Sequence, residues 1–155
     1  MKSVMSVTGD IIYTNALSVK KDDYLVIKEF PCKITDVTVS KTGKHGGCKC
    51  HFVGVDIFTD KKYVALHGSG ETVKVPVITK NEYELCDFTK EDHDNGDITF
   101  ACSLMDISGI IRDDMIVPSG ELANNIIEAM KKGIVNVTVL AALGKEQIIS
   151  YRIEK

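Results

Sequence analysis

A run of ten residues, SKTGKHGGCK at positions 40–49, carries the side chains best suited to chemistry: lysines, a histidine and a cysteine among three glycines. Glycine reaches backbone angles that other residues avoid, so the run predicts the tight tip of a β-hairpin. Lys44, between Gly43 and His45, would then extend into solvent as an unpaired primary amine. Two interpretations follow: a solvated turn lysine, which is the commoner case, or an amine presented to a partner.

Other chemistry in this run is disfavoured. A phosphate-binding P-loop requires Ser or Thr directly after Gly-Lys, whereas His45 follows Gly43-Lys44. His45, Cys48, Cys50 and His51 are zinc-ligand types, but on a strand both cysteines would face away from His51. The segment also lacks the long spacer between ligand pairs, so no metal site is predicted. A cysteine nucleophile is disfavoured because no Asp or Asn stands nearby to orient a histidine base.

The elements that position this run are mostly strands. Period-two alternation of apolar and polar residues, bounded by turn residues, is typical of strands with one buried face. In 51–58 it places Phe52 and its even-numbered neighbours on one face and Val53, Val55 and Ile57 on the other. Strands are predicted at 24–28, 32–39, 51–58, 63–66, 73–78, 83–89, 98–104, 134–143 and 147–153. An acidic turn at 90–97 contains Asn95-Gly96, a strong hairpin signal. Cys32, Cys86 and Cys102 fall inside strand patterns and are predicted as small core residues.

One helix is predicted after Pro118. Ser119 is its expected N-cap, and Glu121 suits the positive end of the helix dipole. Apolar residues then recur at helical spacing, lysines fill the last turn and a glycine ends it: Leu122, Ile126, Ile127, Met130, Lys131, Lys132 and Gly133. About ten strands and one helix predict a mostly β protein built as two small barrels.

Charge divides the 155-residue chain. The whole carries a net charge of −3, but residues 1–79 hold 11 basic and 8 acidic side chains (+3) and residues 80–155 hold 8 and 14 (−6). Pro76 and the polar group at 79–82 mark a joint, so domains 1–79 and 80–155 are predicted, with the lysine loop at 39–49. Residues 37–55 contain no acid. This pattern excludes broad, nonspecific coating of nucleic acid and favours one local cationic contact.

The predicted location is the cytoplasm. Residues 1–10 lack the apolar run of a signal peptide, and no stretch approaches the roughly 20 apolar residues that span a bilayer. The five cysteines show no disulfide-framework spacing, which favours reduced thiols. No membrane partner is expected.

The loop and its following strand resemble a known family. Lys41-Thr42-Gly43-Lys44-His45-Gly46, followed by FVGVDIFT at 52–59 and KKY at 61–63, strongly resembles the eukaryotic translation initiation factor 5A family, which is related to bacterial elongation factor P. FPCKI at 30–34 fits the family's preceding turn and strand. The resemblance extends from about Val19 to the C-terminus. It implies an N-terminal SH3-like barrel followed by a C-terminal OB fold.

The resemblance also implies a function. The family's loop lysine, here Lys44, is converted to hypusine: deoxyhypusine synthase transfers an aminobutyl group from spermidine, and deoxyhypusine hydroxylase adds a hydroxyl. The modified factor binds the ribosome near the E site and contacts the acceptor end of the P-site tRNA. It thereby promotes peptide-bond formation at stalled, often proline-rich, sequences and assists termination. The chain would be no enzyme and would need no separate cofactor. The resemblance further implies that six residues support the loop and contact tRNA and ribosomal RNA: Lys41, Thr42, Gly43, His45, Gly46 and Lys49.

Two other functions and a homodimer stay open at this point. One alternative is a structural, self-assembling relative of the Woronin-body type, which lacks the lysine loop. The other is a general RNA-binding OB module, disfavoured by the −6 charge of 80–155 and its few aromatic residues: Tyr83, Phe88, Phe100 and Tyr151. This chain also departs from the family pattern at Gly47 and Cys48, where a histidine and an alanine are usual. Residues 64–75 lack the usual Ser-Thr-His-Asn-Met run. These departures bear on how the modifying enzymes dock.

Overall fold

The structure is a computed structural model that describes residues 7–8, 10–41 and 47–154. These residues form twelve strands, one α-helix and a 3₁₀ helix at Ala16–Ser18, which confirms a mostly β chain with one helix. The strands are β1 (Val7–Thr8), β2 (Ile11–Asn15), β3 (Tyr24–Ile27), β4 (Phe30–Lys41), β5 (Cys48–Asp56), β6 (Lys62–Gly68), β7 (Thr72–Pro76), β8 (Thr79–Asp92), β9 (Ile98–Met105), β10 (Ile111–Pro118), β11 (Val135–Ala142) and β12 (Lys145–Ile153). The helix α1 spans Glu121–Met130, between β10 and β11. It is neither long nor apolar enough to cross a membrane, and the described residues contain no helix that is.

The chain forms two compact units. The first comprises Met1–Ile78 with Ala142–Gly144, and the second comprises Thr79–Ala141 with Lys145–Lys155. Each unit has its own cluster of buried apolar side chains, and no buried residue belongs to both clusters.

The first unit contains two antiparallel sheets, ordered β3-β4-β5-β6 and β1-β2-β7. In β5 the predicted alternation is confirmed: Cys50, Phe52, Gly54 and Asp56 are buried, while His51 is exposed. Phe52 lies fully inside the cluster, because a strand with one buried face turns every second side chain inward.

A β-bulge in β4 explains an irregular spacing in its sequence. Ile34 and Val37 both contact the core cluster although they are three residues apart, an odd spacing that ordinary alternation would place on opposite faces. The register of β4 with β5 shifts between Ile34 and Asp36, so one extra residue restores the inward face for Val37.

The second unit is one antiparallel sheet ordered β10-β9-β8-β11-β12, with α1 packed against its core. Ala123, Ile126 and Ala129 form the buried face of the helix. Phe100 is buried, and the ring of Phe88 stacks on it with 4.7 Å between centroids.

Two local predictions in this unit are wrong. The N-cap of α1 is Gly120 rather than Ser119, and no side chain caps the helix. Ser119 instead donates its backbone N–H to Ile98 O at 3.0 Å, so its backbone still extends the β9–β10 pairing. Cys86 is exposed rather than a core residue, because β8 has a bulge between Leu85 and Asp87 that leaves Cys86 outside the alternation.

Both ends of β8 lie beyond the predicted strand at 83–89. β8 begins at Thr79 and continues to Asp92, through residues predicted as a joint and into those predicted as a turn. The hairpin at Asn95-Gly96 is confirmed: Gly96 has φ of 91° and donates its N–H to His93 O at 2.9 Å. β1, β2 and β10 were not predicted. In β10, two consecutive aspartates and a bulge between Arg112 and Met115 interrupt the alternation.

Candidate functional site: the β4–β5 hairpin

The β4–β5 hairpin carries the predicted lysine loop. Its two strands stay in register up to the pair Lys41–Cys48. Residues 42–47 connect them, and five of these, Thr42, Gly43, Lys44, His45 and Gly46, lie outside the described residues. Lys44 at the hairpin tip therefore stays a prediction.

Lys41 and Lys49 lie in strands, so the connection between the strands is shorter than the predicted loop at 39–49. Lys41 is the last residue of β4, and Lys49 is the second residue of β5. Lys49 lies between Ser40 on β4 and Gly68 on β6. Both lysines are exposed, so two cations flank the base of the connection.

The β6–β7 turn contacts the start of β5, where the connection ends. The sequence did not predict this contact. Ser69 donates its backbone N–H to Cys48 O at 2.9 Å, directly after the connection. A side chain added at Gly47 would lie 3.8 Å from Ser69 Oγ. The turn at 67–71 therefore packs against the returning strand of the hairpin.

Glu71 fixes this turn through two bonds. Its Oε2 lies 2.6 Å from His67 Nδ1, and its Oε1 accepts the Gly68 backbone N–H at 3.2 Å. In the sequence, this turn is the interval between the strands predicted at 63–66 and 73–78. The available signal was the His67/Glu71 spacing around Gly-Ser-Gly, which suits a side-chain bridge across a turn.

Glu71 interacts electrostatically with the base of the hairpin. The hydrogen bond from His67 lowers the pKa of Glu71 below its usual value, with further lowering from the Gly68 N–H and the positive charges of His67 and Lys49. Residues 37–55 are free of acids in sequence, but β6 and β7 bring one carboxylate beside Lys49. The cationic end of this sheet thus has a local counter-charge.

Two of the candidate zinc ligands, Cys50 and His51, lie among the described residues and point in opposite directions. Cys50 is buried and His51 exposed, on opposite faces of β5. In the part of the chain that the structure describes, no group of three His, Cys, Asp or Glu side chains is placed to hold a metal ion. Burial raises the pKa of Cys32 to about 11, with the charge of Asp56 adding to the shift, so this thiol stays protonated at neutral pH.

The FVGVDIFT motif at 52–59, which begins inside β5, contributes to folding. Phe52 fills the core, and Gly54 allows Cys32 to approach: a Cβ on Gly54 would lie 2.9 Å from Cys32 Cβ. The buried Asp56 accepts the Phe58 N–H at 2.9 Å and the Thr59 hydroxyl at 3.0 Å. These bonds shape the β5–β6 turn, so the FVGVDIFT segment supplies core packing in β5 and the turn that leads to β6.

The aromatic residues of the second unit belong to its core. Phe100 is buried, and the other three pack against the same cluster: Tyr83, Phe88 and Tyr151. Arg112 also lies over the Tyr83 ring, 5.8 Å from its centroid. These rings therefore do not form an open platform for stacking single-stranded bases.

Comparison with known proteins agrees with this architecture. Residues 10–71 match the family described as translation initiation factor 5A-like, N-terminal. Residues 77–152 match the family described as eukaryotic elongation factor 5A hypusine, DNA-binding OB fold. The two matches fall on consecutive parts of the chain.

Individual relatives match over most of their length. Eukaryotic translation initiation factor 5A-1 of Saccharomyces cerevisiae is 41 % identical over 136 residues, covering 87 % of this chain and 81 % of the relative. A translation initiation factor eIF-5A family protein from Naegleria fowleri has a similar structure, with a TM-score of 0.81, 37 % identity and coverage of 94 % of this chain and 100 % of that one. Eukaryotic translation initiation factor 5A from Methanococcus jannaschii gives a TM-score of 0.67 at 26 % identity, covering 96 % and 99 %.

Fold and hairpin define a class: a translation factor with an N-terminal SH3-like barrel, a C-terminal OB fold and a lysine-bearing hairpin on the first unit. The predicted fold class is thereby confirmed. The chain belongs to the translation initiation factor 5A family.

Proposed function

We propose that this chain is a hypusine-bearing translation factor whose modified residue is Lys44. The observation that carries the proposal is the β4–β5 ladder, which remains in register to Lys41–Cys48 and leaves six residues, 42–47, to connect the strands. Lys44 is the third of these six. The second family match, whose description contains the word hypusine, supports the same modification.

The modification lengthens the lysine arm. Deoxyhypusine synthase would transfer the aminobutyl group of spermidine to Lys44 Nζ, breaking the bond between that group and the secondary amine and releasing 1,3-diaminopropane. Deoxyhypusine hydroxylase would then hydroxylate the new segment, with molecular oxygen as the oxidant. Four added methylenes extend the arm by on the order of 5 Å, since each contributes about 1.3 Å along an extended chain. The arm then carries two amines instead of one.

The modified arm would act on the ribosome. Bound near the E site, it would reach the acceptor end of the P-site tRNA and contact phosphate or 2′-hydroxyl oxygens. Holding the tRNA in a reactive position accelerates peptide-bond formation by orientation, most at stalled proline-rich sequences and also at termination. The ribosome performs the chemistry, and the chain supplies no catalytic residue. This activity places the chain in the cytoplasm.

The strands beside the connection would support the arm. Lys41 and Lys49 are exposed at its base and would add attraction to ribosomal RNA. Glu71 beside Lys49 limits that attraction to the tip. Thr42, Gly43, His45 and Gly46 are proposed as the rest of the contact.

The modification is tested by mass spectrometry. The chain is co-expressed with both modifying enzymes, and the peptide containing Lys44 should gain the mass of the hypusine group. An unchanged mass, with both enzymes active on another family member in parallel, would contradict the assignment.

The role of the arm is tested by substitution. In a reconstituted translation system, Lys44→Arg should keep the fold and abolish stimulation of polyproline synthesis, because arginine is not a substrate for aminobutyl transfer. Lys49→Arg is the matched control: it keeps a cation on β5 and should retain most of the stimulation. Equal stimulation by Lys44→Arg and the parent would overturn the proposal.

A further inference from the structure

Strands β8, β9 and β10 lie side by side in the sheet of the second unit. Along β9, the even-numbered residues Phe100, Cys102 and Leu104 are buried in the core. Side chains alternate along a strand, so Ala101 and Met105 point to the opposite face. Directly paired residues share a face, so the partners of the odd-numbered β9 residues on β8 and β10 lie there as well. We call this surface the outer face of β8–β10.

An apolar stripe runs along the outer face. Met105 pairs with Ile111, and Ala101 pairs with Ile116. Ile111 is 52 % exposed and Ile116 is 55 % exposed, although isoleucine is among the residues most often buried. Ala101 and Met105 are four residues apart, so the stripe is about 13 Å long at about 3.3 Å per residue. A partner that covered it would remove apolar surface from water, which favours binding.

A row of carboxylates borders the stripe. On β8, three acids pair with odd-numbered residues of β9 and therefore lie on the outer face: Glu84, Asp87 and Glu91. Burial raises the pKa of the Cys86 thiol, and the nearby charges of Glu84 and Asp87 raise it further. In the part of the chain that the structure describes, no ion pair neutralises these three acids.

The lysine and the arginine in residues 84–118 lie on the other face of the sheet. They are Lys90 and Arg112, and both pair with buried residues of β9. The remaining basic group, the imidazole of His93, is hydrogen-bonded to Thr99 Oγ1 at 2.8 Å at one end of the face. The outer face of β8–β10 therefore combines an apolar stripe with negative charge that no neighbouring lysine or arginine on that face balances.

This chemistry does not suit nucleic acid. β9 and β10 are the second and third strands of the OB fold, and OB folds bind oligonucleotides on that pair of strands. Here the carboxylates of β8 would repel phosphates, and the rings of Phe88 and Phe100 pack in the core instead of facing outward. An acidic and apolar face is complementary to a protein segment that is cationic and apolar.

We propose that the outer face of β8–β10 binds a basic amphipathic helix of a partner protein. Apolar side chains of the helix would cover Met105, Ile111 and Ile116, and lysine or arginine side chains on one flank would lie over the carboxylates of β8. Neighbouring strands are about 4.8 Å apart, so the three strands span about 10 Å, the diameter of a helix. The stripe of about 13 Å matches two to three helical turns. The face belongs to the second unit, so binding does not depend on modification of Lys44.

The probe is a synthetic peptide of about 18 residues, long enough to form a helix in water. It carries leucines along one stripe and lysines along one flank, and the control peptide has glutamate in place of every lysine. NMR titration of the full, unmodified chain should shift the amide signals of β8, β9 and β10. The lysine peptide should bind at least tenfold more tightly than the glutamate peptide at low salt, and its affinity should fall as salt is raised.

Substitutions locate the contact. Ile116→Thr keeps a β-branched side chain on the strand and should weaken binding of the lysine peptide at least fivefold. Ile134→Thr is the matched control, because Ile134 is 51 % exposed and lies outside these strands, and it should bind like the parent. The double variant Glu84→Gln, Asp87→Asn should lose most of the preference for the lysine peptide. Lys44→Arg should bind like the parent, which separates this proposal from the function proposed for Lys44.

Three results would overturn the proposal. The first is equal affinity of the chain for the lysine and glutamate peptides. The second is a set of shifted signals that lies outside β8, β9 and β10, or binding that is insensitive to Ile116→Thr. The third is binding of an oligouridylate to the same strands, which would make the face a nucleic-acid site.

Discussion

Gly54 shows how a single residue positions the hairpin. A Cβ at this position would meet Cys32 Cβ at 2.9 Å and the Cδ1 atoms of Ile27 and Ile34 at 3.2 and 3.3 Å. All three neighbours are buried, so they have little room to move. β5 can pass this close to β3 and β4 only with hydrogen in place of a side chain.

Gly54→Ala should therefore destabilise the chain by about 1–3 kcal/mol through overpacking. Chemical denaturation measures this loss. Gly70→Ala is the control, since a Cβ there meets nothing within 4 Å, and its free energy of unfolding should stay within about 0.5 kcal/mol of the parent. Equal stability of both variants would contradict the close packing at Gly54.

Glu71 gives a pH dependence at the base of the hairpin. Its pKa is lowered in the folded chain from the usual 4.5, first by the hydrogen bond from His67. A depressed carboxyl pKa contributes stability that is present above pH 4.5 and is lost as pH falls through the folded-state value.

NMR titration of the Glu71 side chain should find this lowered pKa, and His67→Ala should move it back toward 4.5. Glu128, whose pKa is lowered by its hydrogen bond from Lys131 in the second unit, serves as a reference carboxyl and should have the same pKa in both proteins. If the pKa of Glu71 did not change in His67→Ala, the 2.6 Å contact between His67 Nδ1 and Glu71 Oε2 would not be formed in solution.

Among the elements, the β3–β4 turn has an unfavourable sequence for its shape. Ile27 pairs with Phe30, so Lys28 and Glu29 form a two-residue hairpin turn, and both have positive φ, 52° and 71°. This geometry favours Asn-Gly, because a Cβ in the left-handed region costs roughly 1–2 kcal/mol.

Glu29→Gly should consequently stabilise the chain by about 0.5–1 kcal/mol, after subtraction of the entropy that glycine adds to the unfolded state. Thermal denaturation provides the measurement. Glu29→Ala keeps the Cβ and should bring no gain. If alanine stabilised the chain as much as glycine, backbone strain would not be the cause.

Bulges explain two of the errors in predicting strands from the sequence. Alternation alone located most strands and assigned the buried face of β5 correctly. It also missed β1, β2 and β10 and misplaced Cys86. Cys86 and β10 each lie at a bulge, where one extra residue reverses the pattern. A bulge is set by the partner strand, which a single segment does not contain.

For the whole molecule, two separate buried clusters predict two cooperative units of unfolding. Gly54→Ala should raise amide exchange in β3–β6 while α1 and β9 keep their protection. Leu104→Ala, which removes a fully buried side chain of the second unit, should do the reverse. Hydrogen exchange with mass spectrometry resolves the two patterns. Loss of protection in both units from either change would indicate one cooperative structure.

The sequence by itself determined the class of fold, the family and the residue proposed for modification. These rest on local signals: alternation of apolar residues, hairpin turns such as Asn95-Gly96, and the contiguous motif at 41–63. The alternation of apolar and polar residues involves only residues that are neighbours in sequence, so it can be recognised without knowing what packs against them.

Tertiary structure alone decided which distant residues meet. It paired Lys49 with Gly68, whose N–H bonds to Glu71, and so brought an acid near an acid-free stretch of sequence although Glu71 is 22 positions from Lys49 in the chain. It also left β6 at an open edge of its sheet. Contacts between strands depend on topology and register, and these emerge only when the whole first unit packs around its core.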